Sequence, residues 1–264
     1  MQTTDISIVN LIAGLLLMAV PIYFFKKYYT GMVKSTIMAV VRMVAQLFFV
    51  GLYLKYLFLW DNPLLNIAWV VIMVFVATET SLTRIKLKRS VMMLPLLIGF
   101  ITASLLVGLY FLGIVLQLDN IFSAQYFIPI MGILMGNMLG VNVIGLNTFY
   151  YNLMREKGCY YYLLGNGATI DEATAPFVRQ AITRAFSPAI ANMAVMGLVA
   201  LPGTMIGQIL GGSSPDIAIK YQMMIIVITI VASILSLMVT LNLSKRSTFD
   251  AMGRIIEPFK QGNK

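Results

Sequence analysis

Residues Leu164–Pro188 read LGNGATIDEATAPFVRQAITRAFSP, a polar passage between two apolar runs. Thr169 followed three residues later by Glu172 is a capping-box pattern. The hydroxyl accepts from an amide in the first turn of a helix beginning at Ile170, and the carboxylate accepts from the amide of Thr169. Asp171 and Glu172 also suit the positive end of that helix. Gly165 and Gly167 permit a sharp turn before the cap. Pro176 makes continuing the helix costly and suits the first position of a new one, so the pattern predicts two short helices joined near Ala175. Ser187 is then expected to cap the next apolar run, with Pro188 in its first turn. A short amphipathic element running straight into an apolar segment can transmit force from a docked partner. An ordinary capped loop carries the same local pattern.

The rest of the chain says what this passage interrupts. Of its 264 residues, 59% are hydrophobic and 11% charged, with a mean hydropathy of +0.87. A soluble globule of that composition lacks the polar groups to cover its surface. A crossing of ~30 Å of hydrocarbon takes roughly 20 apolar residues, and seven runs qualify: 6–25, 36–60, 64–82, 91–117, 125–151, 188–211 and 217–243. The expected fold is an all-α polytopic transmembrane bundle, one domain over 1–264, with an extramembrane segment at 152–187. No basic region precedes the first run and no small-residue cleavage site follows it, so it is expected to remain in the mature chain.

Charge placement orients the spans. Lys26, Lys27 and Lys34 follow the first, and Arg84, Lys86, Lys88 and Arg89 follow the third. Arg155, Lys157, Arg179 and Arg184 follow the fifth, while Lys245, Arg246, Arg254, Lys260 and Lys264 end the chain. The alternate loops hold Asp5, Asp61, Asp119 and Asp216 and no Lys or Arg. The positive-inside rule therefore puts the N-terminus outside and the C-terminus in the cytoplasm of a multi-pass cell-membrane protein. The net charge of +9 marks a face beside anionic lipid and not a nucleic-acid site.

Scarcity removes further classes. Cys159 is the single cysteine and reads as an unpaired thiol. No histidine occurs, which excludes HExxH zinc sites and Ser-His-Asp triads. No G-x-x-x-x-G-K-[ST] loop occurs, so this chain is expected to bind no cofactor of its own, and any ATP used is bound by another chain.

GATIDEATAPFVRQAITRAFSPAI at Gly167–Ile190 resembles the coupling loop of ABC-transporter permeases. GLVALPGTMIGQILGGSSPDIAIKYQMM at Gly197–Met224 is more specific, and PIMGILMGN at Pro129–Asn137 accompanies it, as do Arg42, Gln46, Gly51 and Leu54–Tyr56 in the second run. Together these resemble the FetB-type permeases, a family of iron exporters related to plant aluminium-tolerance permeases. The resemblance implies the membrane subunit of an ABC exporter for a metal ion, iron first. It further implies a permease homodimer and cytosolic ATPase subunits that hold ATP and Mg. Gly167, Ala168, Thr169, Asp171, Glu172 and Ala173 would then couple the permease to the ATPase.

Within the spans, Gly132, Gly136 and Gly140 form a smooth stripe for close helix approach. Asn137 and Met196 fall at matched depth if about 1.5 Å is counted per residue, with Asn192 and Met193 one turn nearer the cytoplasm. Thioethers suit soft ions and amide oxygens harder ones, so Asn137, Asn192, Met193, Met196, Met205 and Met223 are candidates for a translocation path. Core filling by Met and an interhelical bond by Asn are the plainer roles. Met224 lies in the same block. Intramembrane charges are telling: Arg42, one turn from Gln46, either snorkels to the interface or pairs with Glu79. Lys55 and Lys220 suit interfacial anchors, Lys220 alternatively a gate. Pro202-Gly203 is a candidate helix break. The rival reading is a self-sufficient secondary carrier or channel, for which Glu79 is the single available buried-carboxylate candidate. An intramembrane enzyme would want a catalytic pair, and none is visible.

Overall fold

A computed structural model describes residues 6–85, 87–250 and 252–256. The expectations for Asp5, Lys86, Lys260 and Lys264 lie outside them. The described residues form α1 (Ile8–Leu16), α2 (Ala19–Lys27), α3 (Val33–Trp60), α4 (Pro63–Ile85) and α5 (Arg89–Tyr110), the last extended by one π-turn at Phe111–Val115. There follow α6 (Ala124–Arg155), α7 (Lys157–Gly165), α8 (Ile170–Val195), α9 (Gly203–Leu210) and α10 (Pro215–Thr248). Among the described residues six helical stretches are long and apolar enough to cross a membrane: Ile8–Lys27, α3, α4, Arg89–Val115, α6 and α10. They match six of the seven expected runs, and the protein is an all-α polytopic membrane protein.

The remaining run, 188–211, is not one helix. The α8 helix starts at the expected cap, passes through Pro176 and Pro188, and ends at Val195. The backbone then leaves the helix until Gly203, where α9 begins behind Pro202. Two expectations are thereby corrected: Pro176 does not start a second helix, and Ser187 is a mid-helix residue whose hydroxyl donates to the Thr183 carbonyl at 2.5 Å. An interior proline costs about 3 kcal/mol. Burial explains why α8 tolerates it, because Phe177 and Phe186 are buried on the same face as Ala173, Ala181 and Ala185. Each buried Phe contributes about 1.5–3 kcal/mol, which offsets the lost helix bonds.

The core is built from α4, α5, α6 and α10, and α8 lies along α6. Polar residues pin α6 to α10 along its length. Asn142 donates from Nδ2 to Ser236 Oγ at 2.9 Å, and the Tyr150 hydroxyl donates to Ser244 Oγ at 2.8 Å beside Thr248. Close approach occurs at glycines outside the expected stripe. A Cβ on Gly99 would clash with Thr240 Oγ1 and fall 2.9 Å from the Ser236 carbonyl, and one on Gly145 would fall 2.7 Å from Leu237. Nothing lies within 4 Å of a Cβ at Gly136 or Gly140, and only Met73 approaches Gly132, at 3.2 Å. Of the stripe, Gly132 alone meets a neighbouring helix, through Met73 of α4.

At the acidic end, Asp61 knots three elements together. Its carboxylate accepts from the Ala124 amide at 2.6 Å, from Ser123 Oγ at 3.3 Å and from Asn66 Nδ2 at 3.3 Å. This ties the α3–α4 turn to the start of α6. Toward the basic end α3 departs from the bundle, with Leu57 its sole buried residue.

Candidate functional site

Among the described residues, three places hold residues singled out from the sequence. The first surrounds the break between α8 and α9. A helix at membrane depth can be interrupted only where the freed backbone groups line a cavity or find partners. Gly197, at φ +85°, turns the chain there, and its amide donates to the Ala200 carbonyl at 3.0 Å. The turn, α9 and the first half of α10 enclose a cleft of about 640 Å³. Met193, Met196, Met205, Met223 and Met224 all line it. Its polar content is Gln222, which is buried in the apolar run of α10 and accepts a hydrogen bond from the Thr204 hydroxyl.

This assembly joins four of the expected path residues and separates the other two. Asn137 is exposed on α6, and its Nδ2 donates back to the Ile133 carbonyl at 2.9 Å. Asn192 is exposed on α8 and is not among the residues lining the methionine cleft. Equal depth therefore does not bring the amides to the thioethers: residues at one level of a bundle still point in different directions. Gln222 and Thr204 were missed, although a lone amide between Tyr221 and Met223 is a legible signal.

The second place is a cleft of about 980 Å³ between α3 and the α4–α6 pair. Tyr53 and Trp69 lie against each other toward the acidic end of α3, their ring centroids 4.2 Å apart. Arg42, Gln46, Thr80 and Arg84 line the cleft as well. Arg42 faces this space and does not pair with Glu79, which instead pairs with Arg89 at the start of α5. The reason is rotational, because Thr80 turns toward the cleft and Glu79, about 100° around α4, does not. Glu79 is consequently a part-exposed carboxylate paired with Arg89. Lys55 and Lys220 are both exposed.

The third place is the basic end of α8. Thr169 Oγ1 accepts from the Glu172 amide at 3.3 Å, and Glu172 Oε2 accepts from the Thr169 amide at 2.8 Å. That backbone bond, together with the Thr169 hydroxyl, holds the Glu172 carboxyl below the usual carboxylate range. Gly167, at φ +91°, makes the turn into the cap, and Ala168 packs against the core. Asp171 is open to solvent and accepts from Lys245 Nζ of α10 at 2.9 Å, while Ala173 is fully buried. The helix start thus presents Asp171 and Glu172 outward and keeps its inner face anchored.

A family model described as "Uncharacterised protein family (UPF0014)" matches residues 8–249, nearly the whole chain. The chain belongs to the UPF0014 family. Among its relatives is the probable iron export permease protein FetB of Escherichia coli, 27% identical over 256 residues and aligned over 97% of each chain. The UPF0014 membrane protein YjkA of Bacillus subtilis is 27% identical over 231 residues, 87% of this chain and 90% of that one. Protein ALUMINUM SENSITIVE 3 of Arabidopsis thaliana is 29% identical over 192 residues, 72% of this chain and 68% of that one. The resemblance read from the four motif blocks is thus a family relationship, and this UPF0014 chain is a multi-pass protein of the cell membrane. No solved structure matches it.

Proposed function

We propose that this chain is the membrane-spanning subunit of an ATP-driven exporter of a metal ion, iron first, working as a homodimer with cytosolic ATPase subunits that bind ATP and Mg. The observation that carries this reading is the continuity of α8. Its 26 residues span roughly 39 Å at 1.5 Å per residue. One continuous helix thereby connects the capped, solvent-facing start at Thr169 to the methionine cleft at Met196. A push at Asp171 and Glu172 is carried toward the cleft along that helix, through Pro176 and Pro188. In this reading the basic end, with Gly167–Ala173, faces the cytoplasm and receives the ATPase.

The methionine cleft suits the metal better than the larger one. Arg42 and Arg84 line the larger cleft, and their charge opposes a bare cation. Thioethers offer uncharged, polarisable ligands, and Gln222 adds a carbonyl oxygen. The relative named as an iron export permease aligns over 97% of this chain, which supports iron as the first ion to try.

The test is transport into inside-out vesicles carrying this chain and its ATPase partner, with iron and several other metals supplied outside. ATP-dependent accumulation of a metal is the expected result. Accumulation by the purified chain alone in liposomes would replace the subunit reading with a secondary carrier. Met196→Leu and Met205→Leu conserve volume at a cost under about 1.5 kcal/mol each. Together they should lower metal-stimulated ATPase activity while leaving the complex assembled.

A further inference from the structure

The basic end holds a cleft of about 600 Å³ that neither the coupling helix start nor the methionine cleft includes. Three arginines from three helices line it: Arg84 at the end of α4, Arg155 at the end of α6 and Arg184 within α8. No Asp or Glu lines it. Arg155 is bonded to the neighbouring Glu156 at 2.7 Å, and among the described residues no salt bridge involves Arg84 or Arg184. Arg84 and Arg184 are thus two cations lining one cleft without a counter-charge, and an anion shared between them stabilises both.

The lining along α6 is graded. Val143 and Ile144 are apolar, Asn147 and Thr148 one turn on offer an amide and a hydroxyl, and Asn152 and Arg155 complete the series. Ile144 to Arg155 is roughly 16 Å along the helix axis at 1.5 Å per residue. Along α6, apolar surface, then hydrogen-bonding groups, then guanidinium is the order in which a glycerophospholipid presents its acyl chain, its ester region and its phosphate. Arg184, one turn along α8 from the Gln180 that bonds Asn152, adds a second guanidinium from the level of Thr148. A small soluble oxyanion would use the arginines and leave the apolar part of the cleft empty.

We propose that this cleft binds the headgroup phosphate of an anionic phospholipid at the basic face of the membrane, tying α4 and α6 to α8. Asn152 already bonds Gln180 of α8 at 2.5 Å beside it, so the lipid occupies the seam along which the coupling helix is held. The proposal goes beyond the transport reading and rests only on the chain spanning a membrane.

The test is native mass spectrometry of the full-length, delipidated chain offered equal amounts of dioleoylphosphatidylglycerol and dioleoylphosphatidylcholine. Preferential retention of phosphatidylglycerol is expected. A basic side chain near the surface contributes about fivefold in affinity for anionic lipid. Arg84→Gln and Arg184→Gln should therefore each lower that preference about fivefold. Arg184→Lys should keep most of it, and Arg246→Gln, at the same end but outside the cleft, should leave it unchanged. Equal retention of the two lipids, or a preference unmoved in the Arg84→Gln/Arg184→Gln double variant that still elutes as a single species, would overturn the proposal. Displacement of phosphatidylglycerol by millimolar inorganic phosphate but not by chloride at the same ionic strength would overturn the lipid assignment in favour of a soluble oxyanion. Because no transport is measured, none of these results bears on the metal-export reading.

Discussion

Glu172 caps the helix from which it projects, and its ionisation is what the cap depends on. The Thr169 amide bonds its carboxylate and lowers its pKa, so the cap's contribution is complete above the ordinary glutamate range and is lost as pH falls through the lowered value. Hydrogen-exchange protection at the Glu172 amide, taken relative to the intrinsic rate at each pH, should hold at pH 5 and fall only in stronger acid. Loss of protection already beginning near pH 6 would contradict the capping geometry. Glu172→Arg removes the bond and places a cation at the positive helix end. The variant is expected to insert normally yet fail to retain the ATPase on blue-native gels, whereas full retention with normal coupling would make the capped segment a mere loop. The neighbouring Asp171 is held by Lys245, so Lys245→Ala should loosen the same end without touching the cap.

At the scale of elements, α8 and the α5–α10 contact carry the sharpest expectations. If α8 is one helix, Pro176 is a tolerated interior residue and Pro176→Ala should stabilise the protein and preserve coupling. If the chain instead began a new helix there, the same change would disturb it. A thermal-shift measurement separates the two. Phe177→Ala removes the largest fully buried side chain of α8 and should cost about 3–5 kcal/mol, detaching the helix from α6. Gly99→Ala drives a methyl against Thr240 Oγ1 and the Ser236 backbone carbonyl, the latter at 2.9 Å, at about 1–3 kcal/mol. Gly136→Ala meets open space and should be tolerated. The pair can be compared by melting in detergent, where equal losses would refute the assigned packing.

For the whole molecule, orientation is open to a direct experiment because the chain carries a single cysteine. Cys159 is exposed on α7 at the basic end. A membrane-impermeant maleimide should leave it unlabelled on intact cells and label it in inside-out vesicles, while a cysteine introduced at Asp119 in a Cys159→Ser background should show the reverse. The opposite pattern would invert the assignment of basic end to cytoplasm. What could be read from the chain alone were properties of contiguous segments: six crossing runs, the Thr169 cap, the break at Pro202-Gly203 and the charge asymmetry of the loops. Each follows from the solvation of a stretch of apolar side chains or from the hydrogen bonding of a few adjacent backbone groups, and neither depends on distant residues. Tertiary structure decided the continuity of α8 through two prolines, the pairing of Glu79 with Arg89, the choice of Gly99 and Gly145 as close-packing sites, and the gathering of five methionines without Asn137 or Asn192. Those outcomes depend on which way each helix is rotated, since successive residues turn by about 100°. That rotation is set by how α4, α5, α6, α8 and α10 pack against one another, which no local segment contains.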